Sequence, residues 1–275
     1  MIVVPEQFAE QLVSYEGARA ATWLRSTPAL AEEFAQRWRL RFDGPLMHGV
    51  VGLALPVTTA DGSPAVLKLT LVTAETRDEP TALAAWNGAG AVRLLDSDPE
   101  RGVLLLERLD AARSLAAEPI ADAVRIASGL LRRLTIPAPH ELTRDLRAEA
   151  ERWIEELPRD WQRLGRPFPR ALLDGAVAVC TQLGPQAARL LVNEDLHYDN
   201  VLAGTREPWL VIDPKPLLGD PEFTTLPLLW NRPTESTLNE RFAAGVNGAD
   251  QDPPRGRART EVRAVRYLLD ILPKD

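Results

Sequence analysis

LLVNEDLHYDNVLAGTREPWLVIDPKPLLGDPEF, residues 190–223, contains two short apolar runs that each give way at once to acids and amides. Leu190-Leu191-Val192 and Trp209-Leu210-Val211-Ile212 have the length and composition of buried strands. Asp195 follows the first run, Asn200 stands five residues later beside Val201-Leu202, and Asp213 ends the second. A hairpin with Gly204 in its turn returns Asn200 and Asp213 to the side of Asp195, so that three oxygen-bearing side chains converge on one small volume. Such a volume suits Mg²⁺, a hard cation usually held by one or two protein oxygens together with substrate phosphates.

The spacing D-x-x-x-x-N followed by an Asp at a strand end matches the catalytic loop and metal-binding Asp of phosphoryl-transfer enzymes. In that arrangement the first Asp orients and deprotonates an acceptor hydroxyl, while the Asn and second Asp hold the metal. Asp and Asn are also ordinary turn formers after strands, and the loop by itself is compatible with that plainer reading. The plainer reading loses ground once Asp213 and Lys68 are counted with the loop.

The 275 residues suffice for one large domain or two lobes of about 100 to 170 residues each. A 45% hydrophobic and 26% charged composition is that of an ordinary globular protein. The net charge of −7 argues against a nucleic-acid partner, because affinity for a polyanion comes largely from Lys and Arg displacing counterions. A cationic small-molecule acceptor fits it better. Cys180 is the lone cysteine, which excludes an internal disulfide and a multi-cysteine metal site, and its apolar surroundings suggest a buried inert thiol. The opening MIVVPEQFAEQL lacks a basic region and a continuous apolar run, and no stretch reaches the roughly eighteen apolar residues of a membrane span. A cytoplasmic chain with no membrane partner, monomeric or weakly dimeric, is the expectation.

Residues 6–37 carry helical periodicity interrupted at Thr27-Pro28, which predicts a leading helical pair. From Arg39 the pattern alternates. Leu40-Arg41-Phe42, residues 50–59 and residues 64–70 read as three antiparallel strands, with the glycine-flanked GPLMHG (44–49) between the first two and Asp61-Gly62 in the second turn. Lys68, between Leu67 and Leu69, can deter aggregation on an edge strand or reach nucleotide phosphates if an acid holds it. Glu79, before Pro80 at a helix start, is the chosen acid, with Glu75 and Asp78 as competitors. Residues 91–95 and 103–109 complete a five-stranded antiparallel sheet.

Beyond Asp110 the pattern turns helical: 119–134, 141–157, 170–183, and after the acid loop 226–230, 238–246 and 260–272, with the Pro/Gly-rich 248–260 as a mobile loop. The reading is an α+β fold with an N-terminal lobe, 1–109, and a mainly helical C-terminal lobe, 110–275. A nucleotide would bind in the cleft between them.

LLVNEDLHYDNVL, WLVIDPKPLLGDPEF, PAVLKL (64–69), EPTALAAWNGAGAVRLLD (79–96) and LLLERLD (104–110) together resemble the aminoglycoside phosphotransferases, in particular the streptomycin phosphotransferase or aminoglycoside/hydroxyurea resistance kinase branch. The resemblance covers most of residues 38–232. It implies a two-lobed protein-kinase-like fold that uses ATP and Mg²⁺ to phosphorylate a hydroxyl of a cationic antibiotic. It also implies Asp195 as catalytic base, Asn200 and Asp213 as magnesium ligands, Lys68 with Glu79 as phosphate clamp, and the backbone of Glu107 and Leu109 at the adenine edge.

Where the family loop usually reads His-Gly-Asp-Leu-His, this chain has Asn193 and Glu194 in the first two places, and Thr224 stands where the family often has Asp. Asn193 can still bond neighbouring backbone. Glu194 adds a charge that would attract a cationic acceptor, as would Asp220, Glu222, Glu235 and Glu240, although surface helices carry such acids anyway. His197 reads as a histidine bracing the loop from the core, and Trp209 and Trp230 as core residues. Two other readings remain open, a kinase of another small hydroxyl compound and a nucleotide-binding pseudo-enzyme.

Overall fold

The computed structural model describes residues 2–272. The chain forms two compact units, one running to Gly88 and taking in Val92–Leu109, the other made of Ala89–Ala91 and the chain from Asp110 onward.

The first unit begins with α1, Glu6–Arg37. Its break lies at Gly17, with φ 60 and ψ −139, a conformation essentially confined to glycine, and Pro28 is carried inside the second segment. The helical pair is therefore divided ten residues earlier than Thr27-Pro28 suggests. Strands β1 (Arg41–Phe42), β2 (Met47–His48), β3 (Gly52–Thr58), β4 (Pro64–Thr70), β5 (Leu94–Asp98) and β6 (Val103–Glu107) form an antiparallel sheet in the order β1-β3-β4-β6-β5, with β2 also on β3. Strand β2 adds a sixth, two-residue member from within the 44–49 loop. Strand β5 starts at Leu94 rather than Ala91, because Asn87, Gly88 and Gly90 take positive φ and steer the chain away before the strand begins.

The two faces of this sheet differ by the strand period of two. Leu67 and Leu69 of β4, with Leu55, Val57, Val103 and Leu105, pack against Leu30, Ala31 and Phe34 of α1. Lys68 points to the opposite face. Its strand is flanked by β3 and β6, so the edge-strand explanation for this lysine does not hold. Helix α2, Glu79–Trp86, follows, with Pro80 in its first turn, where a missing N–H is harmless.

The second unit contains β7 (Asp110–Ser114), α3 (Ile120–Leu134), β8 (Ile136–Pro137), α4 (Leu146–Arg163), α5 (Arg170–Leu183), β9 (Leu190–Asn193), β10 (Val201–Ala203), β11 (Trp209–Val211), β12 (Pro216–Gly219), α6 (Leu226–Trp230), α7 (Leu238–Gly248) and α8 (Pro253–Ile271). Two small sheets, β11-β10-β7 and β12-β9-β8, carry the acid loop. Its main core joins Leu146, Trp153 and Trp161 of α4, Leu173 and Cys180 of α5, Val192, Leu217 and Phe223, and Val262, Val265 and Leu269 of α8. Cys180 is buried, and burial pushes its thiol up to about 11, which keeps it unreactive. No described helix is long and apolar enough to cross a membrane.

Helix α4 starts at Leu146, later than the periodicity alone suggests, because Asp145 caps it by accepting the Arg147 N–H. Most of the 248–260 segment is helix rather than loop. Asp252 accepts the Arg255 N–H at 2.8 Å, Pro253 and Pro254 occupy first-turn positions, and Gly256 packs closely on Phe242 and Val246. Asp252→Ala should cost about 0.5–2 kcal/mol, read as a lower urea midpoint with an unchanged slope.

Candidate active site

In the first unit Lys68 Nζ donates to both carboxylate oxygens of Glu79, at 2.6 and 2.7 Å. The two side chains are 10% and 1% exposed. Glu79, the first helical residue of α2, meets the lysine. Glu107 closes the end of β6, where its N–H donates to Arg93 O at 3.0 Å and its carboxylate accepts from the Arg93 N–H at 2.8 Å. Leu109 follows one residue after Arg108, whose guanidinium fastens β6 to Asp43 and to Ala65 O.

In the second unit β10 and β11 pair as a hairpin, Val201 opposite Val211 and Ala203 opposite Trp209, with Gly204 in the connection. Ile212 N–H donates to Asn200 O at 2.9 Å, which brings Asn200 and Asp213 to the same open end of the hairpin. Asp213 has φ 49, a left-handed conformation that Asp tolerates better than most residues. Asn200 Nδ2 reaches back to Asp195 O at 3.3 Å. Asn200 is thus bonded to Asp195, the neighbouring Ile212 sets Asp213 beside it, and all three residues are partly exposed.

Between them the loop alternates inward and outward. Leu196 and Tyr198 are fully buried, while Asp195, His197 and Asp199 reach outward. Tyr198 Oη donates to Leu228 O at 2.9 Å, and burial pushes its phenol up to about 12. His197 is not a core histidine. It is half-buried, its Nδ1 enclosed and 3.4 Å from Oδ2 of Asp199, whose side chain is exposed.

Asn193 joins two segments through one oxygen. Its Oδ1 accepts the N–H of Asp195 at 3.1 Å and the N–H of Lys215 at 3.0 Å, while Glu194 N–H donates to Lys215 O at 3.0 Å. Lys215 Nζ in turn lies 3.3 Å from Asp195 Oδ2. The spacing that marks Asp195, Asn200 and Asp213 does not mark this lysine, and its place two residues after Asp213 is the one signal of it in the sequence.

The acids expected to face a cationic acceptor are turned inward. Glu194 is 4% exposed and pairs with Arg144, which also meets Glu149 at 2.8 Å. Burial presses the Glu194 carboxyl upward, but Arg144 and then Arg263 outweigh it and hold it below the usual range. Glu149 is held above that range, chiefly by burial. Asp220, 2% exposed, accepts from Ala188 N–H at 2.7 Å and from Arg255 and Arg259 at 2.8 Å. Glu222 accepts the Asp252 N–H at 3.2 Å. These contacts turn the Glu194, Asp220 and Glu222 carboxylates toward partners inside the second unit. Glu240 completes the capping box of α7, Glu235 pairs with Arg232, and Thr224 is buried within a hydrogen-bonded group with Pro221 and Gln251.

Removing Arg144 leaves two buried carboxylates without their shared partner, so Arg144→Ala should destabilise the chain by about 3–5 kcal/mol, measurable by urea denaturation. Tyr198→Phe should cost about 1 kcal/mol at pH 8. The raised phenol pKa means its contribution is complete below pH 10 and is lost as pH rises through about 12. The stability gap between parent and Tyr198→Phe should therefore narrow over that interval.

Comparison with known proteins agrees with this architecture. Residues 37–260 match the family described as aminoglycoside/hydroxyurea antibiotic resistance kinase. A streptomycin 6-kinase of Streptomyces glaucescens is 46% identical over 84% of this chain and 76% of its own length. A hydroxyurea phosphotransferase of Kitasatospora aureofaciens is 42% identical over 98% of this chain and 80% of its own length. The crystal structure of a choline kinase from Streptococcus pneumoniae superposes with a TM-score of 0.58 at 12% identity, covering 86% of this chain and 88% of that one, and shares the protein-kinase-like fold. With its α+β fold and a family match over most of its length, this chain belongs to the aminoglycoside/hydroxyurea antibiotic resistance kinases and is a nucleotide-using O-phosphotransferase.

Proposed function

We propose that the chain transfers the γ-phosphate of ATP to a hydroxyl of a cationic aminoglycoside of the streptomycin kind. The observation that carries this reading is Asn200 bonded to Asp195 and, through Ile212, set beside Asp213 at the open end of the β10–β11 hairpin. The identity to a relative named streptomycin 6-kinase supports the acceptor class.

Asp195 accepts the proton of the acceptor hydroxyl as that oxygen attacks the γ-phosphorus. The bond from phosphorus to the β,γ-bridging oxygen breaks, ADP leaves with the electron pair, and the phosphate ester remains on the acceptor. Lys68, kept extended by Glu79, grips the nucleotide phosphates, and the backbone at Glu107 and Leu109 receives the adenine edge.

Mg²⁺ fits Asn200 and Asp213, because an amide oxygen and a carboxylate are hard donors that leave coordination positions for phosphate oxygens and water. When bound, it neutralises charge on the β- and γ-phosphates.

A second acceptor is favoured by two observations. The relative named hydroxyurea phosphotransferase aligns with nearly the whole chain, and Glu194, Asp220 and Glu222 are engaged inside the fold instead of lining a cationic site. A small neutral N-hydroxyl compound needs no such acids.

Both readings are tested by ³¹P NMR of the purified chain with Mg·ATP and either streptomycin or hydroxyurea. A new phosphate-ester resonance with streptomycin supports the first acceptor; a product only with hydroxyurea replaces it with the second. With the accepted substrate, Asp195→Ala should lower kcat about 10²- to 10⁴-fold. A parent-like rate in that variant removes Asp195 from the chemistry.

A further inference from the structure

We propose that Lys215 is a positioning residue that holds the Asp195 carboxylate in its transfer-competent orientation. This inference rests on the assignment of Asp195 as base. Lys215 Nζ approaches Asp195 Oδ2 at 3.3 Å. The ammonium therefore orients the carboxylate through one of its two oxygens.

The lysine backbone is unusually constrained for a segment between strands. Pro214 precedes it and Pro216 follows it. A following proline restricts Lys215 to extended conformations, and Pro214 and Pro216 each have φ fixed by their rings. The Lys215 N–H donates to Asn193 Oδ1, its carbonyl accepts from Glu194 N–H, and Pro216 pairs with Asn193 at the first position of β12. The residues immediately before Asp195 thus fix the backbone of the lysine that meets its carboxylate. The ammonium reaches the same loop that anchors its own main chain.

The pair has side chains 33% and 27% exposed. An ion pair this open contributes little to stability. Its geometric consequence is larger, because a small misplacement of a reacting group reduces rate steeply without weakening substrate binding. A structural role alone predicts the reverse, a loss of stability with kcat preserved in the folded fraction.

The full-length chain, Lys215→Ala, Lys215→Arg, Asp195→Ala and the double variant Asp195→Ala/Lys215→Ala are compared using Mg·ATP with streptomycin or hydroxyurea, whichever the parent phosphorylates. Lys215→Ala should lower kcat by about 10- to 100-fold with KM for ATP and the thermal midpoint close to the parent's, and Lys215→Arg should recover part of the loss. The double variant should be no slower than Asp195→Ala, since a group acting through the base has nothing left to orient.

A Lys215→Ala chain with parent-like kcat, a change confined to KM for ATP, or a double variant slower than Asp195→Ala by the full single-variant factor would each overturn the proposal. If Asp195→Ala abolishes turnover while Lys215→Ala is fully active, only the positioning role falls. If both remain fully active, the assignment of Asp195 as base falls as well.

Discussion

The side-chain oxygen of Asn193 is the constraint on which the acid loop depends. It accepts two backbone N–H groups, from Asp195 on one segment and Lys215 on another, and so joins the end of β9 to the approach to β12. Those two strands are already paired, Pro216 opposite Asn193 through Gly219 opposite Leu190, and the amide extends their registration beyond the last ladder position. Buried backbone donors require partners, and a loop that leaves a sheet normally loses them. Here one planar acceptor satisfies two, which is within the capacity of an amide oxygen. A hydrocarbon side chain at this position would release both N–H groups together and loosen the acid and lysine at the same time.

The alternation around that tie explains why adjacent acids behave so differently. Asn193 and Glu194 are buried, and Glu194 extends into the interior, where Arg144 bridges it to Glu149. Asp195, one residue later, faces outward. Burying three charged groups is unfavourable in itself, and an apolar substitute of similar volume is often as stable. The network's contribution is better described as geometric. Arg144 also accepts the Leu218 N–H through its carbonyl, so the same residue touches the Glu194 carboxylate and the β12 backbone. The two strands that support the loop are held both by charge, through Arg144, and by the Asn193 amide.

Much of this was legible in the sequence because it follows from local pattern. Period-two alternation placed Lys68 opposite Leu67 and Leu69, and Pro80 marked the helix start that presents Glu79. The two apolar runs flanking Gly204 specified the hairpin that unites Asn200 with Asp213. What failed to show was the destination of long charged side chains. Asp220 follows Gly219 in a turn-like Gly-Asp-Pro, a context that suggests exposure, yet Arg255 and Arg259 reach it from α8, more than thirty residues later. Spacing along the chain carries no record of that meeting. Helix α8 was obscured for a related reason: a Pro/Gly-rich polar stretch reads as loop, whereas Pro253 and Pro254 fall at first-turn positions that tolerate them and the Asp252 cap with contacts to α7 completes the helix.

The inward turn of Glu194, Asp220 and Glu222 also separates two problems that a sequence combines. Net charge of −7 describes the whole chain, whereas recognition of an acceptor depends on the few charges that reach its binding surface. Glu194 and Asp220 are matched by arginines inside the second unit and Glu222 by a backbone N–H, so their contribution to a field outside is strongly reduced by their partners. Asp199 is different: it stands in the loop itself, four residues after Asp195, with its carboxylate open to solvent and steadied by Asn231 at 3.0 Å. A charge summed over the composition therefore says little about the few groups, such as Asp199, that the loop presents outward.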